Sequence, residues 1–151
     1  MLLAEQQADS QYPVRWPLPI PVEDFIVRPA EERAWVAEDP SGLLLGHVAV
    51  HSLGDDDVSD AFRAAMGHDD LGVVAVLFTS AASRGTGVGA LLFDTAVTWL
   101  RESGRTPVLD VVPSHDAASA FYVRRGWVEV GRYRPPWLGA DLVLMTQAVS
   151  E

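Results

Sequence analysis

The stretch Val73-Val74-Ala75-Val76-Leu77-Phe78-Thr79-Ser80-Ala81-Ala82-Ser83-Arg84-Gly85-Thr86-Gly87-Val88-Gly89-Ala90 is an apolar run that ends in a glycine-rich turn, and Leu91 to Arg101 continues from it with helical patterning. A strand that stops in such a turn and opens a helix leaves backbone N–H groups without partners, aimed outward. The helix dipole places partial positive charge at the same point, so the turn suits a phosphate or diphosphate. Glycines allow close approach of the backbone and conformations that a Cβ would block.

Outward from this turn, Leu71 to Thr79 reads as a strand, Val88 to Ser103 as a helix stopped by Gly104, and Val108 to Val112 as the next strand. Two strands flanking one helix pair in parallel through a right-handed crossover. Ser114 to Arg125 reads as a helix closed by Gly126, followed by strands at Trp127 to Tyr133 and Leu142 to Ala148, with Pro135, Pro136 and Trp137 between them. Upstream, Arg33 to Glu38 and Leu43 to His51 form a hairpin around Pro40-Ser41-Gly42. Gly54 to Asp57 is an acidic loop, and Asp57 to Met66 a short helix with Asp57 or Ser59 as its N-cap. Before residue 31 only Leu2 to Asp9 and residues 22–27 have short helical character, separated by Pro13, Pro17, Pro19 and Pro21. The fold class is therefore α/β: a mixed, mostly antiparallel central sheet with one parallel βαβ crossover and flanking helices. At 151 residues the chain reads as one domain, with residues 71–134 as its ligand-binding core.

Composition narrows the chemistry. The chain has no cysteine, which excludes disulfides, thiolate metal sites and a cysteine nucleophile, and fits a cytoplasmic protein. It has no run long enough to span a membrane and no N-terminal leader pattern. Of the four histidines, His47 and His51 are four apart on a strand, roughly 13 Å, too far to share a metal. Residues 1–78 hold 14 acids and 4 bases; residues 79–151 hold 7 of each. Such an acidic chain is a poor nucleic-acid binder. Its acidic half is either a solvated surface or the frame of a mouth that attracts cationic amines.

Two ligands compete for the glycine turn. Gly85-x-Gly87-x-x-Ala90 fits a dinucleotide fingerprint, with Asp110 placed where a ribose-binding acid would sit. Against it, Thr79 to Arg84 intervene between strand and glycines, about seventy residues precede the strand, and 41 follow Asp110. A P-loop is excluded, because no Lys-Ser/Thr pair follows the glycines.

Arg84-x-x-Gly87-x-Gly89 resembles the Gln/Arg-x-x-Gly-x-Gly/Ala signature of the GNAT superfamily of acetyl-CoA-dependent N-acetyltransferases. His115-x-x-Ala118-x-x-Phe121-Tyr122-x-x-x-Gly126-Trp127 resembles that family's Asn-x-x-Ala-x-x-x-Tyr-x-x-x-Gly-Phe. The resemblance runs from about residue 71 to 134. It implies acetyl transfer from acetyl-CoA to the primary amine of a small molecule or peptide, by direct attack, with a homodimer as the family default. Cofactor contacts would come from Leu77, Phe78 and Thr79 along the pantetheine arm, a backbone N–H near Leu77 polarising the carbonyl. Arg84, Gly85, Thr86, Gly87, Val88, Gly89 and Ala90 would surround the diphosphate. Tyr122 would be the general acid, its ordinary pKa near 10 suiting a thiolate leaving group, and Asp110 a candidate base. A CoA-binding regulatory module without turnover, or a dinucleotide domain, are the alternatives. Two departures stand out. His115, also a candidate cofactor contact, replaces Asn, and an imidazole cannot present an amide's paired groups. The N-terminal part is too short for the family's opening strand and two helices, so that strand is either missing or supplied by another chain.

Overall fold

A computed structural model describes residues 31–148; the expectations for residues 1–30 lie outside it. In chain order the elements are β1 (Glu31–Glu38), β2 (Leu44–Ser52), α1 (Asp57–Met66), β3 (Leu71–Thr79), a 3₁₀ turn (Ala81–Ser83), α2 (Val88–Glu102), β4 (Thr106–Val111), α3 (Asp116–Arg124), β5 (Trp127–Tyr133) and β6 (Leu142–Gln147). They form one six-stranded sheet of order β1-β2-β3-β4-β6-β5. Only β3 and β4 run parallel; the other neighbours are antiparallel. This is the mixed sheet that the pattern implied, and the described residues form no doubly wound parallel sheet for a dinucleotide.

Helix ends follow local chemistry. The N-cap of α1 is Asp56, not Asp57 or Ser59: its carboxylate accepts from Ser59 N at 2.8 Å and from Ser59 Oγ at 2.9 Å. Three successive aspartates made the choice ambiguous, and the geometry selects the one three residues before a serine N–H. Gly67 closes α1 in the left-handed region at φ 78°, its N–H on Arg63 O.

The apolar side chains divide by face. Val48, Val50, Val74, Leu109, Val111, Val143 and Met145 point toward α2 and α3, where they bury Leu92, Phe93, Ala96 and Leu100. Val73, Val108, Leu142 and Leu144 point the other way, onto Phe62 of α1. Phe93 is 1% exposed and touches the rings of Phe121, Tyr122 and Trp127 at centroid distances of 5.5, 5.3 and 5.3 Å. Burial of a ring this complete contributes about 1.5–3 kcal/mol, and it fixes α2 and α3 to each other as well as to the sheet. Glycine in β3 serves the same packing: a Cβ on Gly72 would lie 2.2 Å from Leu100 Cδ2.

Candidate active site

The glycine turn is built from its own short-range bonds. Ser83 N donates to Ser80 O at 3.0 Å, the two serine hydroxyls meet at 2.6 Å, and Thr86 donates from both N and Oγ1 to Ser83 O. Gly85 and Gly87 follow at φ 76° and 89°. A Cβ at either would meet nothing within 4 Å, so glycine is required there by the backbone angle and not by crowding. Gly87 caps α2 without any side-chain bond. The opening amides of α2 therefore have no acceptor within the helix and sit at its positive end. Arg84 through Gly87 are exposed, and Val88 to Ala90 half-buried.

Beside the turn the sheet is interrupted. β3 and β4 pair only at Leu71–Thr106, Gly72–Pro107 and Val73–Val108. From Val74 onward the β4-facing edge of β3 is without its ladder, and that edge leads to Leu77, Phe78, Thr79 and the turn. On its other side β3 stays paired with β2, but with a bulge: between the His47–Phe78 and Ala49–Ala75 pairs, Val48 faces both Val76 and Leu77. Val76 sits at φ 52°, the only non-glycine described in the left-handed region.

Tyr122 lies half-buried on α3, against Phe93, Phe121 at 5.5 Å and Trp127 at 6.4 Å. It packs on the same apolar cluster as Leu77 and Val88, so the turn, the bulged strand and Tyr122 share one face. Asp110 is exposed on β4. Its neighbours Leu109 and Val111 both point to the α2 face, so strand alternation puts Asp110 on the α1 face. The two side chains singled out for proton transfer thus stand on opposite sides of the sheet. His115 occupies the N-cap position of α3, buried, and its side chain makes no bond to that helix end.

One site feature had no signal in the sequence. Asp57, at the start of α1, accepts from Tyr133 Oη at 2.8 Å and from Trp137 Nε1 at 3.1 Å. This ties the β5–β6 loop to α1 on the face where Asp110 lies. The tyrosine bond first, and the indole bond after it, hold the Asp57 carboxyl below its ordinary pKa, while the same carboxylate raises Tyr133 above 10. The contribution of this clasp is present above about pH 4 and is lost as pH falls through the lowered carboxyl value. On the alkaline side it is lost as pH rises past about 10 through the raised phenol value. Asp57→Ala is expected to flatten the acid side of the melting-temperature profile and to release the loop. Melting curves from pH 3 to 7 and Trp137 fluorescence check both; an unchanged acid limb would contradict them.

Comparisons with known proteins agree with this geometry. The family model described as the acetyltransferase (GNAT) family matches residues 2–127. A search of curated protein sequences finds no match. Among solved structures, a nourseothricin acetyltransferase is 24% identical with TM-score 0.59, covering 79% of this chain, which spans 65% of that one. An acetyltransferase from Bacillus anthracis, in complex with acetyl coenzyme A, is 15% identical with TM-score 0.63 over 90% of this chain and 72% of its own. A spermidine N-acetyltransferase chimera with Vibrio cholerae sequence is 18% identical with TM-score 0.57 over 83% and 70%. At these identities the likeness is one of fold. Among the described residues no helix is long and apolar enough to cross a membrane.

Proposed function

The chain belongs to the acetyltransferase (GNAT) family, and from that premise we propose that it acetylates a primary amine with acetyl-CoA by direct attack. The observation that carries the reading is the uncapped, glycine-led N-terminus of α2 placed where the β3–β4 ladder stops. Bound acetyl-CoA supplies the thioester. The amides of Val88 to Ala90 and the turn Arg84 to Gly87 would hold its diphosphate by charge-assisted hydrogen bonds, each contributing about 1.5–3 kcal/mol. The unladdered edge of β3 at Leu77 to Thr79 would pair with the amides of the pantetheine arm, as a strand would. Backbone groups carry most of this site, which is why glycines and a helix end, and no lysine, define it.

Proton transfer divides between the faces of the sheet. Tyr122 on the α3 side would protonate the departing thiolate, and Asp110 on the α1 side would take the proton from the incoming ammonium. Asp110→Asn is expected to lower kcat/KM near neutral pH by about 10²-fold and to move the acid limb of the pH–rate profile upward. An unchanged profile would assign the proton to solvent.

The acceptor class follows from charge. Asp55, Asp56, Asp57 and Asp60 cluster at the start of α1, on the same side of the sheet as Asp110, which favours small cationic amines over neutral or anionic ones. Thiol release from acetyl-CoA across polyamines, aminoglycosides, amino acids and peptide N-termini tests the reading. Turnover confined to neutral or anionic amines would refute the charge argument. Acetyl-CoA binding with no turnover on any amine would leave a CoA-binding module instead.

A further inference from the structure

The peptide joining Val76 to Leu77 is held in a conformation that its own sequence does not ask for. Val76 lies at φ 52°, where a β-branched side chain is a genuine outlier. Strain of this kind persists only where the surroundings over-determine it, and it concentrates where a site needs a group aimed in one direction. Here the determining contact comes from the neighbouring strand. His47 of β2, 7% exposed, brings Nδ1 to 2.9 Å from Val76 O. A carbonyl only accepts, so Nδ1 carries the hydrogen. The imidazole is fixed in turn by stacking on Phe78, with centroids 5.4 Å apart and 19° between planes.

We propose that His47 is a positioning residue for acyl transfer: by holding the Val76 carbonyl it aims the Leu77 N–H at the thioester oxygen. This rests on the acyl-transfer reading above. In a planar trans peptide the C=O and N–H point to opposite sides. A Val76 carbonyl tied to an imidazole on β2 therefore sends the Leu77 N–H away from β2, to the side where pairing with β4 has ended. The bulge is what frees this one peptide from the β2 ladder, since two β3 residues face a single residue there. A hydrogen bond accepted by the carbonyl also polarises the N–H of the same peptide. The donor is thus strengthened as well as aimed, and it needs no reorganisation as negative charge develops.

Kinetics of the full chain, with acetyl-CoA and an amine that it acetylates, separate this role from packing. His47→Leu keeps an apolar body and removes the donor. His47→Asn restores an N–H the same number of bonds from Cα as Nδ1. The leucine variant is expected to lose about 10²-fold in kcat with the KM for acetyl-CoA within about threefold of wild type; the asparagine variant is expected to recover most of the loss. A leucine variant with near-wild-type kcat, or equal losses in both variants, would overturn the proposal. Wild-type protein supplies a readout that does not depend on a variant folding. Long-range ¹H–¹⁵N spectra should show the His47 proton on Nδ1, and the Leu77 amide proton should move downfield when acetyl-CoA is added. A proton on Nε2 alone, or a Leu77 amide indifferent to acetyl-CoA, would overturn the proposal. Wild-type protein that acetylates no amine refutes the acyl-transfer reading and this proposal with it; wild-type turnover with an unimpaired leucine variant refutes only the role of His47.

Discussion

Tyr122→Phe is expected to lower kcat for amine acetylation by about 10²-fold while leaving acetyl-CoA affinity within a factor of about two. The ring stays. Phe93, Phe121 and Trp127 surround it at 5.3, 5.5 and 6.4 Å, and these contacts need no hydroxyl. The loss then reports the hydroxyl alone. A phenol with a pKa near 10 is protonated at neutral pH and close to a thiolate in basicity, so proton transfer between them is well matched. The effect should fall on kcat, and should shrink when the leaving thiol is made more acidic and needs less help. Single-turnover measurement of thiol release is the check. Unchanged turnover would make Tyr122 a packing residue and send the proton to the thiolate from water.

Gly87→Val is expected to weaken acetyl-CoA binding by about 10²-fold or more, as measured by calorimetry, with loss of the thermal shift that CoA produces. Two charge-assisted hydrogen bonds at about 1.5–3 kcal/mol each are enough for a loss of that order. The reason is conformational. Gly87 holds φ 89°, which a β-branched residue reaches only at a cost of roughly 1–2 kcal/mol, so the chain will turn elsewhere and redirect the first amides of α2. The fold should survive. The helix is anchored by Leu92, Phe93, Ala96, Val97 and Leu100, all buried, and not by its cap. Gly89→Ala makes the contrast: its Cβ would meet only Thr79 Cγ2 at 3.5 Å, an ordinary contact, so any loss of affinity there would come from the ligand side. Equal affinity in the Gly87 variant and wild type would remove the turn from the site.

The helices and strands were legible because each carries its own signal. Leu71–Thr79 and Trp127–Tyr133 coincide with their apolar runs, and Gly104 and Gly126 stop their helices as left-handed residues, at φ 81° and 83°. The parallel pairing of β3 with β4 was also readable, since a crossover helix permits little else. Its end after Val73–Val108 was not, because nothing in Val74 to Thr79 differs in pattern from a fully paired strand. The bulge was hidden for the same reason: Ala75-Val76-Leu77-Phe78 contains no glycine or asparagine to mark a left-handed residue, and the side chain that bonds the Val76 carbonyl is His47, some thirty positions earlier. His47 itself reads from sequence as one polar residue within a strand. The Asp57 clasp depends on Tyr133 and Trp137, far along the chain, and such pairs appear only once the sheet order is known. The acid and base candidates could be named from residue type, but the face each occupies required the register.

A parallel seam of three residue pairs makes the two halves of this sheet resemble covers bound along a short spine. β1 to β3 form one cover and β4 to β6 the other, with α2 and the rings around Phe93 as the binding. A ligand arm laid along the open margin would stitch the covers together, so occupancy and rigidity would rise as one quantity. At a hundredfold excess over Kd such a ligand adds about 2.7 kcal/mol to folding stability, and most of that gain should appear as slowed amide exchange at the margin, in Ala75 to Thr79 and Leu109 to Val111, rather than in the hairpin at the far edge.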